Sequence, residues 1–141
     1  DLIPIVNDVM NLFVDERVVI TLETNSESLI IDADRSNLRR MFINLVRNSI
    51  QANAVSINIK ITQTDGQAEI LFQDDGTGIP ENVRHKIFEL NFTTKEKGMG
   101  IGLKLAKRFL EGINGNISLE DSEKGTIFKI IMPSVKASDK S

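Results

Sequence analysis

The sequence predicts a single α/β domain, a two-layer sandwich in which helices cover one face of a mixed, mainly antiparallel sheet. The length is the first observation, because 141 residues that are 40% hydrophobic can build one core but not two. The second is that helical and alternating hydrophobic periods both recur along the chain. The third is that the strands come in hairpin pairs and not in strict β–α–β alternation, which favours antiparallel pairing.

The first third of the chain predicts a helix, a hairpin and a second helix. Residues 2–15 have apolar side chains at helical spacing, and residues 18–22 and 29–31 are β-branched runs separated by a polar turn. We expect these two runs to pair as a hairpin. Asp34 is predicted to cap a long helix over residues 35–52.

The rest of the chain predicts two hairpins, with a glycine-rich region and helices between them. Asp65-Gly66 is a turn signal, and Gly125 lies in the turn between the last two strands. Residues 1–133 are predicted to be one domain and the small, polar residues 134–141 a disordered tail. The remaining predicted elements are strands at 55–61 and 68–72, helices at 82–88 and 101–112, and strands at 116–120 and 127–132.

The composition excludes several kinds of chemistry. The chain has no cysteine and a single histidine, His85, which excludes disulfides, thiolate nucleophiles and a metal site with two histidine ligands. The net charge of −3 argues against a nucleic-acid partner. No apolar run approaches the roughly 20 residues that cross a bilayer, so membrane insertion of these residues is not expected. The lack of cysteine fits a cytoplasmic location.

The predicted helix 35–52 has an unusual polar face. Solvent-facing stripes usually carry Lys and Glu, whereas Asn is a poor helix former. A carboxamide oxygen can join the ligand shell of a hard cation such as Mg²⁺ without adding charge. An ordinary solvated stripe is the alternative interpretation. At about 100° per residue the stripe consists of Asn37, Arg40, Asn44, Arg47, Asn48 and Gln51.

The segment that follows the strand 68–72 reads Gln73-Asp74-Asp75-Gly76-Thr77-Gly78-Ile79-Pro80. A carboxylate held at a strand end can accept a hydrogen bond from an exocyclic amino group such as that of adenine. The glycines let the backbone approach a planar ring. The alternative is a plain Asp-Gly turn that closes a hairpin.

A second glycine-rich stretch, Gly98-Met99-Gly100-Ile101-Gly102-Leu103, leads into a helix. Glycines before a helix leave free N–H groups at the positive end of the helix dipole, which suits phosphate. The spacing differs from the Rossmann and P-loop patterns. Just upstream, Thr93, Thr94, Lys95 and Lys97 supply hydroxyl and ammonium groups in a stretch that suits a mobile lid over a ligand. A flexible loop without a ligand is the alternative.

The order of these segments is more specific than any one of them. It resembles the N, G1, F, G2 and G3 boxes of the ATP-binding catalytic domain of sensor histidine kinases, a member of the GHKL superfamily. The resemblance covers about residues 1–133 and implies a Bergerat-type ATP-binding fold, and the short Thr-Thr-Lys lid looks most like the nitrogen-regulation type. The segments are Asn44-Leu45-Val46-Arg47-Asn48, Asp74-Asp75-Gly76-Thr77-Gly78, Phe88-Glu89-Leu90-Asn91-Phe92-Thr93-Thr94-Lys95, Gly98-Met99-Gly100-Ile101-Gly102-Leu103 and Gly125-Thr126.

The resemblance implies ATP and Mg²⁺ as cofactors and assigns a role to each matching residue. Asn48 would bind the magnesium that bridges the ATP phosphates, and Asn44, Asn48 and Lys95 are the expected catalytic residues. Asp74 would read the adenine amino group, with Gly78 against the base. The expected nucleotide-binding set is Asn44, Asn48, Asp74, Gly76, Gly78, Ile79, Thr93, Thr94, Lys95, Lys97, Gly98, Gly100, Ile101, Gly102, Leu103 and Thr126.

Asn44 separates branches of this superfamily. Members that hydrolyse ATP resemble one another in carrying Glu four residues before the magnesium Asn, where it acts as a general base. Asn44 has no such basicity, so efficient hydrolysis is not expected. The implied reaction is in-line attack of a histidine on the γ-phosphate, with catalysis by positioning and charge neutralisation. The alternatives are a non-catalytic ATP-sensing module and an ATPase of the chaperone or MutL type.

The target histidine would lie on a dimerisation and histidine-phosphotransfer domain of the parent protein, with a response regulator downstream. The parent would be cytoplasmic or anchored in the inner membrane. His85 precedes the F box, where the family's phosphoacceptor does not occur, so a surface position beside the lid is expected. The chain departs from the family's common pattern at Gln51, where many members carry a basic residue, and Arg47 is the candidate substitute for that basic side chain. It also departs at Leu90 and Asn91.

Overall fold

The hydrophobic periods of the chain correspond to helices and strands in a computed structural model, which describes residues 1–14, 16–79, 99–120 and 124–135. The predicted helix at 82–88 and its His85 lie outside these ranges. In chain order the described elements are α1 (Leu2–Leu12), β1 (Val19–Thr24), α2 (Arg35–Gln51), β2 (Ser56–Thr64), β3 (Gln67–Asp74), α3 (Met99–Gly112), β4 (Asn116–Glu120) and β5 (Thr126–Pro133).

The described strands form one sheet in the order β1-β2-β3-β5-β4. Strand β1 is parallel to β2, and all other neighbouring strands are antiparallel. The hairpin between β2 and β3 turns at Asp65-Gly66, where Gly66 has a φ of 72° that glycine adopts without strain. The predicted fold class, a mixed and mainly antiparallel sheet with helices on one face, is confirmed.

One predicted pairing is wrong. Residues 18–22 and 29–31 do not form a hairpin, because β1 pairs in parallel with β2. The connection between them explains the error, since Thr24 Oγ1 donates to the carbonyl of Ser26 at 3.0 Å and Ser26 Oγ donates to the carbonyl of Ser28 at 2.6 Å. Side chains that bond their own backbone direct the chain away from β1 instead of closing a tight turn.

Helix α2 begins and ends close to its predicted limits. The Asp34 side chain accepts from the backbone N–H groups of Ser36 and Asn37 at 2.7 and 3.2 Å, which satisfies two of the free donors of the first turn. The helix ends at Gln51, and Asn53 follows with a φ of 64°. This left-handed conformation is tolerated by Asn and commonly terminates helices.

The other two helices differ from their predicted bounds at one end each. Helix α1 ends at Leu12 and not at residue 15, and the N–H of Phe13 bonds back to the carbonyl of Met10 at 3.2 Å. Helix α3 begins at Met99, before the predicted residue 101. Gly100 therefore lies in the first turn of the helix and not in a loop before it. Glycine lowers helix propensity, but tertiary context routinely overrides propensity.

The hydrophobic core lies between the sheet and the helices. Every second residue along most of β2, β3 and β5 is buried, so these strands present one face to the helices. Phe42 of α2 and Phe72 of β3 are among the largest fully buried side chains, and burial of each contributes about 1.5–3 kcal/mol. Asp74 and Thr126 occupy the same core-facing positions at the ends of β3 and β5. The sheet thus carries two polar side chains on its apolar face, at one end.

The chain remains paired beyond the predicted end of the domain. The N–H of Ser134 donates to the carbonyl of Gly66, and the N–H of Val135 donates to the carbonyl of Ile30, each at 2.9 Å. The first bond joins Ser134 to the β2–β3 turn, and the second joins Val135 to the segment before α2. The division into a domain over residues 1–133 and a tail over 134–141 stays a prediction. Residues 136–141 lie outside the described ranges. Among the helices that the structure describes, none has the length and apolar character to cross a membrane.

Candidate functional site

Within the described ranges one carboxylate is buried, that of Asp74 at the end of β3, whose residue is 4% exposed. Ser49 Oγ donates to Asp74 Oδ2 at 2.6 Å, and the backbone N–H of Gly76 donates to Oδ1 at 2.9 Å. An ionised carboxylate is costly to bury without such donors. Because a carboxylate has about four lone-pair directions, these two bonds leave Asp74 with acceptor capacity for a ligand.

Glycines pack tightly against this strand end. Gly125 has a φ of 78°, and a Cβ there would lie 1.9 Å from the carbonyl oxygen of Asp74. A Cβ at Gly78, whose φ is 80°, would lie 3.0 Å from the carbonyl oxygen of Gly125. A Cβ at Gly76 would lie 2.6 Å from the carbonyl oxygen of Ala52, the residue that caps α2. The loop after β3 therefore packs between the end of α2 and the start of β5.

The neighbouring Asp75 serves the backbone. Its Oδ1 accepts from the N–H groups of Ser56 and Val55 at 3.0 and 2.9 Å. These two bonds stabilise the charged form and lower the pKa of Asp75 below its ordinary value of 3.8, and the charge of Lys124 acts in the same direction. Asp75 thus ties the end of β3 to the start of β2.

Helix α2 contributes two adjacent polar residues to the interior. Asn48 is 7% exposed, and its Nδ2 has no hydrogen-bond partner among the described residues. A buried amide without a partner is rare and costly, so it points to a bound group. Thr126 is also buried and stands opposite Asp74 in the register of β3 and β5.

All of the buried polar residues in the described part of the chain lie at this one end of the sheet. We call them the polar cluster: Asn48, Ser49, Asp74 and Thr126. Elsewhere the interior of the described ranges is apolar, so the concentration of a carboxylate, a carboxamide and two hydroxyls is not a feature of general packing. Such a set can bind a ligand that offers both donors and acceptors.

The sequence prediction did not include Ser49. The residue follows Phe42 by seven positions and Leu45 by four, so it lies on the apolar face of α2. A single hydroxyl on a core-facing helix stripe is the signal that could have found it, because a buried hydroxyl needs a hydrogen-bond partner.

Asn44 lies one turn before Asn48 and is half-buried. It lines a cleft of about 290 Å³ between α2 and α3, together with the guanidinium-bearing Arg40 and Arg108. Arg47, the predicted substitute base, lines a different cleft beside α1 with Gln51 and Ile50 of its own helix. The two ends of the predicted polar stripe therefore face different neighbours.

The remaining predicted residues are distributed differently from the polar cluster. Leu103 was predicted to bind nucleotide, but it is 1% exposed and belongs to the hydrophobic core, so its side chain is not available to a ligand. Ile79 packs partly buried against the same core. Gly100, Ile101 and Gly102 provide backbone in the first turn of α3. The predicted positions outside the described residues are Thr93, Thr94, Lys95, Lys97 and Gly98.

The family of the chain is settled by comparison with known proteins. A family model for histidine kinase-, DNA gyrase B- and HSP90-like ATPases matches residues 33–136, from the cap of α2 to just beyond β5. The chain belongs to this family. The predicted resemblance to the ATP-binding catalytic domain of histidine kinases is therefore confirmed, and the matched segment contains the whole polar cluster.

Individual relatives of this ATPase-family domain are histidine kinases. Sporulation kinase A of Bacillus subtilis (strain 168) is 35% identical over 119 residues, which are 82% of this chain and 20% of that protein. The crystallised catalytic domain of histidine kinase ThkA has a TM-score of 0.83 and 31% identity, covering 92% of this chain and 90% of that one. A structure of ThkA in complex with the response regulator protein TrrA has a TM-score of 0.77 and 28% identity, covering 94% and 40%. The chain spans about a fifth of the length of the sporulation kinase that it matches.

Proposed function

We propose that the chain binds Mg-ATP and donates the γ-phosphate to a histidine on a separate dimerisation and phosphotransfer domain of its parent protein. The observation that carries this proposal is the polar cluster, which includes a buried carboxylate and a buried carboxamide whose Nδ2 has no partner among the described residues. The family of histidine kinase-like ATPases supplies the reaction class, and the buried groups supply the chemistry of recognition.

Asp74 is suited to select adenine. An ionised carboxylate can only accept hydrogen bonds, and adenine presents an amino donor at the edge where guanine presents a carbonyl acceptor. Buried recognition groups reject the wrong partner strongly, because a mismatched ligand leaves them without a hydrogen bond. Thr126, opposite Asp74 in the sheet, adds a second polar group beside the base.

The donor set of α2 fits a magnesium ion and phosphate oxygens. Asn48 would supply a carboxamide oxygen to the ion, a ligand type that Mg²⁺ prefers. Its Nδ2, which has no partner among the residues described, would then donate to a phosphate oxygen. The first N–H groups of a helix have no partner within the helix, so the first turn of α3 would offer its backbone N–H groups to the phosphates. Bound magnesium neutralises phosphate charge.

The proposed reaction is in-line phosphoryl transfer. An imidazole nitrogen of the acceptor histidine forms a bond to the γ-phosphorus, the bond from that phosphorus to the bridging oxygen breaks, and ADP leaves. Asn44 cannot take a proton from water, so hydrolysis is not assisted at this position. The chain acts by positioning and by charge neutralisation, with Asn44, Asn48 and Lys95 beside the phosphates.

A response regulator downstream and a cytoplasmic site of action complete the proposal. The complex of ThkA with the response regulator TrrA supports such a partner for a chain of this family. The resemblance of the Thr93-Thr94-Lys95 lid to the nitrogen-regulation type stays a prediction, since kinases of other names, such as sporulation kinase A, match the chain as well.

Nucleotide binding tests the site. Isothermal titration calorimetry should detect Mg-ATP binding, with GTP bound far more weakly, and Asp74→Ala should abolish the preference for ATP. The matched control is Asp65→Ala, which removes a carboxylate from the turn between β2 and β3. Unchanged ATP binding in Asp74→Ala would rule out this carboxylate as the base-reading group.

Phosphotransfer tests the reaction. The chain should be mixed with the phosphotransfer domain of its parent and ATP labelled at the γ-phosphate, and label should appear on a histidine as an acid-labile, base-stable adduct. Label released only as inorganic phosphate would favour an ATPase. ATP binding without transfer or release would favour a regulatory module that senses ATP.

A further inference from the structure

Ser49 occupies a position in α2 that an apolar residue would fill equally well for packing. It is 2% exposed and is surrounded on its helix face by core residues such as Leu45 and Phe42. Ser49 and its neighbour Asn48 are the polar residues among the buried positions of α2. Among the described residues, the side-chain hydrogen bond of Ser49 is the one to Asp74, so we look for its function there.

That bond has the length of a charge-assisted hydrogen bond. The 2.6 Å between Ser49 Oγ and Asp74 Oδ2 falls in the range of about 2.5–2.7 Å that is typical of a hydroxyl donating to an ionised carboxylate. The backbone N–H of Gly76 holds the other oxygen, Oδ1. Each carboxylate oxygen therefore accepts from one donor, Ser49 of α2 on Oδ2 and Gly76 of the loop after β3 on Oδ1. Rotation of the carboxylate about its Cβ–Cγ bond would break both hydrogen bonds.

The orientation of this carboxylate determines what it can accept. A carboxylate has about four lone-pair directions, and the donors from Ser49 and Gly76 occupy one on each oxygen. The lone pairs that remain are therefore fixed in direction. They can accept from an exocyclic amino group such as that of adenine, where guanine presents a carbonyl acceptor.

We infer that Ser49 is a positioning residue for base selection, which holds the Asp74 carboxylate oriented toward the 6-amino group of the adenine ring. The inference rests on the proposed function, because it assumes that Asp74 reads the base. Ser49, on the buried face of α2, thereby contributes to the specificity for adenine.

The test compares two ligands that differ only in the amino group. Calorimetric dissociation constants are measured for ATP and for purine riboside triphosphate, which lacks the 6-amino group, with the 141-residue chain and its variants. In the wild type ATP binds more tightly. Ser49→Ala should weaken ATP binding about tenfold, the size expected for loss of one hydrogen bond to a charged group, and should leave purine riboside triphosphate nearly unchanged.

Two further variants separate positioning from packing. Ser36→Ala removes a hydroxyl from an exposed position of the same helix and should change neither dissociation constant. Ser49→Thr keeps the hydroxyl and should retain the preference for ATP over purine riboside triphosphate, even if the added methyl group lowers stability. Thermal unfolding of each variant checks that the chain is folded at the temperature of the titration.

The outcomes distinguish the inference from the proposed function. If Ser49→Ala weakens both ligands equally, or neither, while the wild type prefers ATP, then Ser49 only packs and the inference is overturned although the nucleotide site stands. If the wild type binds both ligands equally, the amino group is not read; the inference and the assignment of Asp74 to the base are then overturned, while the phosphotransfer experiment still tests the proposed reaction. Selective loss of ATP affinity, restored in Ser49→Thr, supports the inference.

Discussion

Asp74 and Asp75 are consecutive residues with the same side chain, but we assign Asp74 to ligand binding and Asp75 to the stability of the fold. Asp74 points into the core and holds two donors, the hydroxyl of Ser49 and the N–H of Gly76, one on each oxygen. Asp75 is partly exposed, and its Oδ1 accepts from the N–H groups of both Ser56 and Val55. Alternation along β3 is the cause, since successive side chains leave a strand on opposite faces.

The two carboxylates differ in their partners as well as in burial, and the partners indicate which of them can act on a ligand. Asp75 is committed to the backbone of the β2 start and contributes to the structure of the chain. Asp74 belongs to the polar cluster together with Asn48, whose Nδ2 has no partner among the described residues. Asp74 is therefore the carboxylate that we expect to contact a ligand. Substitution of Asp74 should therefore affect ATP binding, and substitution of Asp75 should affect the free energy of unfolding.

The largest effect is expected where the backbone of this region is most crowded. Gly125→Ala puts a Cβ within 1.9 Å of the Asp74 carbonyl oxygen, at a φ of 78°. Overlap and backbone strain together should lower the free energy of unfolding by about 4 kcal/mol, measured by urea denaturation. Gly66→Ala is the matched control, because its φ is 72° but no atom lies within 4 Å of the added Cβ. That control should lose only about 1 kcal/mol, and equal losses would contradict the role assigned to the contact.

The next effect is on binding and contrasts the two aspartates directly. Asp74→Asn should weaken ATP binding about 100-fold, because an amide offers a donor where the adenine amino group requires an acceptor. Asp75→Asn should leave the dissociation constant of ATP nearly unchanged. Calorimetry on both variants measures the contrast, and a comparable loss of affinity in the two would break it.

A smaller effect is expected on stability, and it depends on pH. The pKa of Asp75 is lowered in the folded chain, so its charged form stabilises the fold above its ordinary value of 3.8, and this contribution is lost as the pH falls through the lowered folded value. Asp75→Asn should therefore be less stable than the wild type at pH 7, and the two should converge below pH 3.8. Thermal unfolding measured from pH 7 down to below pH 3.8 gives the gap, and a gap independent of pH would be evidence against the role of the two backbone donors.

The smallest effect is expected for a carboxylate on the outer face of the sheet. Glu69 Oε2 lies 3.7 Å from Lys129 Nζ, and both side chains are about one-third exposed. Solvent-exposed ion pairs contribute little, so Glu69→Gln should change the free energy of unfolding by about 0.5 kcal/mol or less and ATP binding not at all. If Glu69→Gln lost as much free energy of unfolding as Asp75→Asn, the contribution of a carboxylate to stability would depend on its position in the sheet and not on its type of partner.

Local signals in the sequence predicted what depends on neighbours along the chain. The cap at Asp34, the helix that follows it and the turn at Gly66 each rest on residues within a few positions, and all are present in the structure. The position of Asp74 at a strand end was predicted for the same reason. Pairing of residues 18–22 was not, because the true partner of β1 is β2, across the whole of α2.

The site was predicted in part for the same physical reason. Asp74 and Asn48 carry motifs that are visible in one dimension, whereas the bond from Ser49 to Asp74 joins residues 25 positions apart. Nothing in the immediate neighbourhood of Ser49 indicates which strand end it will meet. Leu103 was assigned to the ligand by its place in a glycine-rich motif, and burial in the core overrides that assignment.

The pairing of Asp74 with Thr126 has a consequence for the order in which the molecule is made. The two residues stand opposite each other in the sheet although more than fifty positions separate them along the chain. Contacts between distant residues must first overcome the entropy of closing a long loop, so they tend to form late. A chain that has made α2 and the β2–β3 hairpin holds Ser49 and Asp74 but still lacks the start of β5. If Thr126 contributes to the nucleotide site as proposed, tight nucleotide binding requires that β5 has docked beside β3.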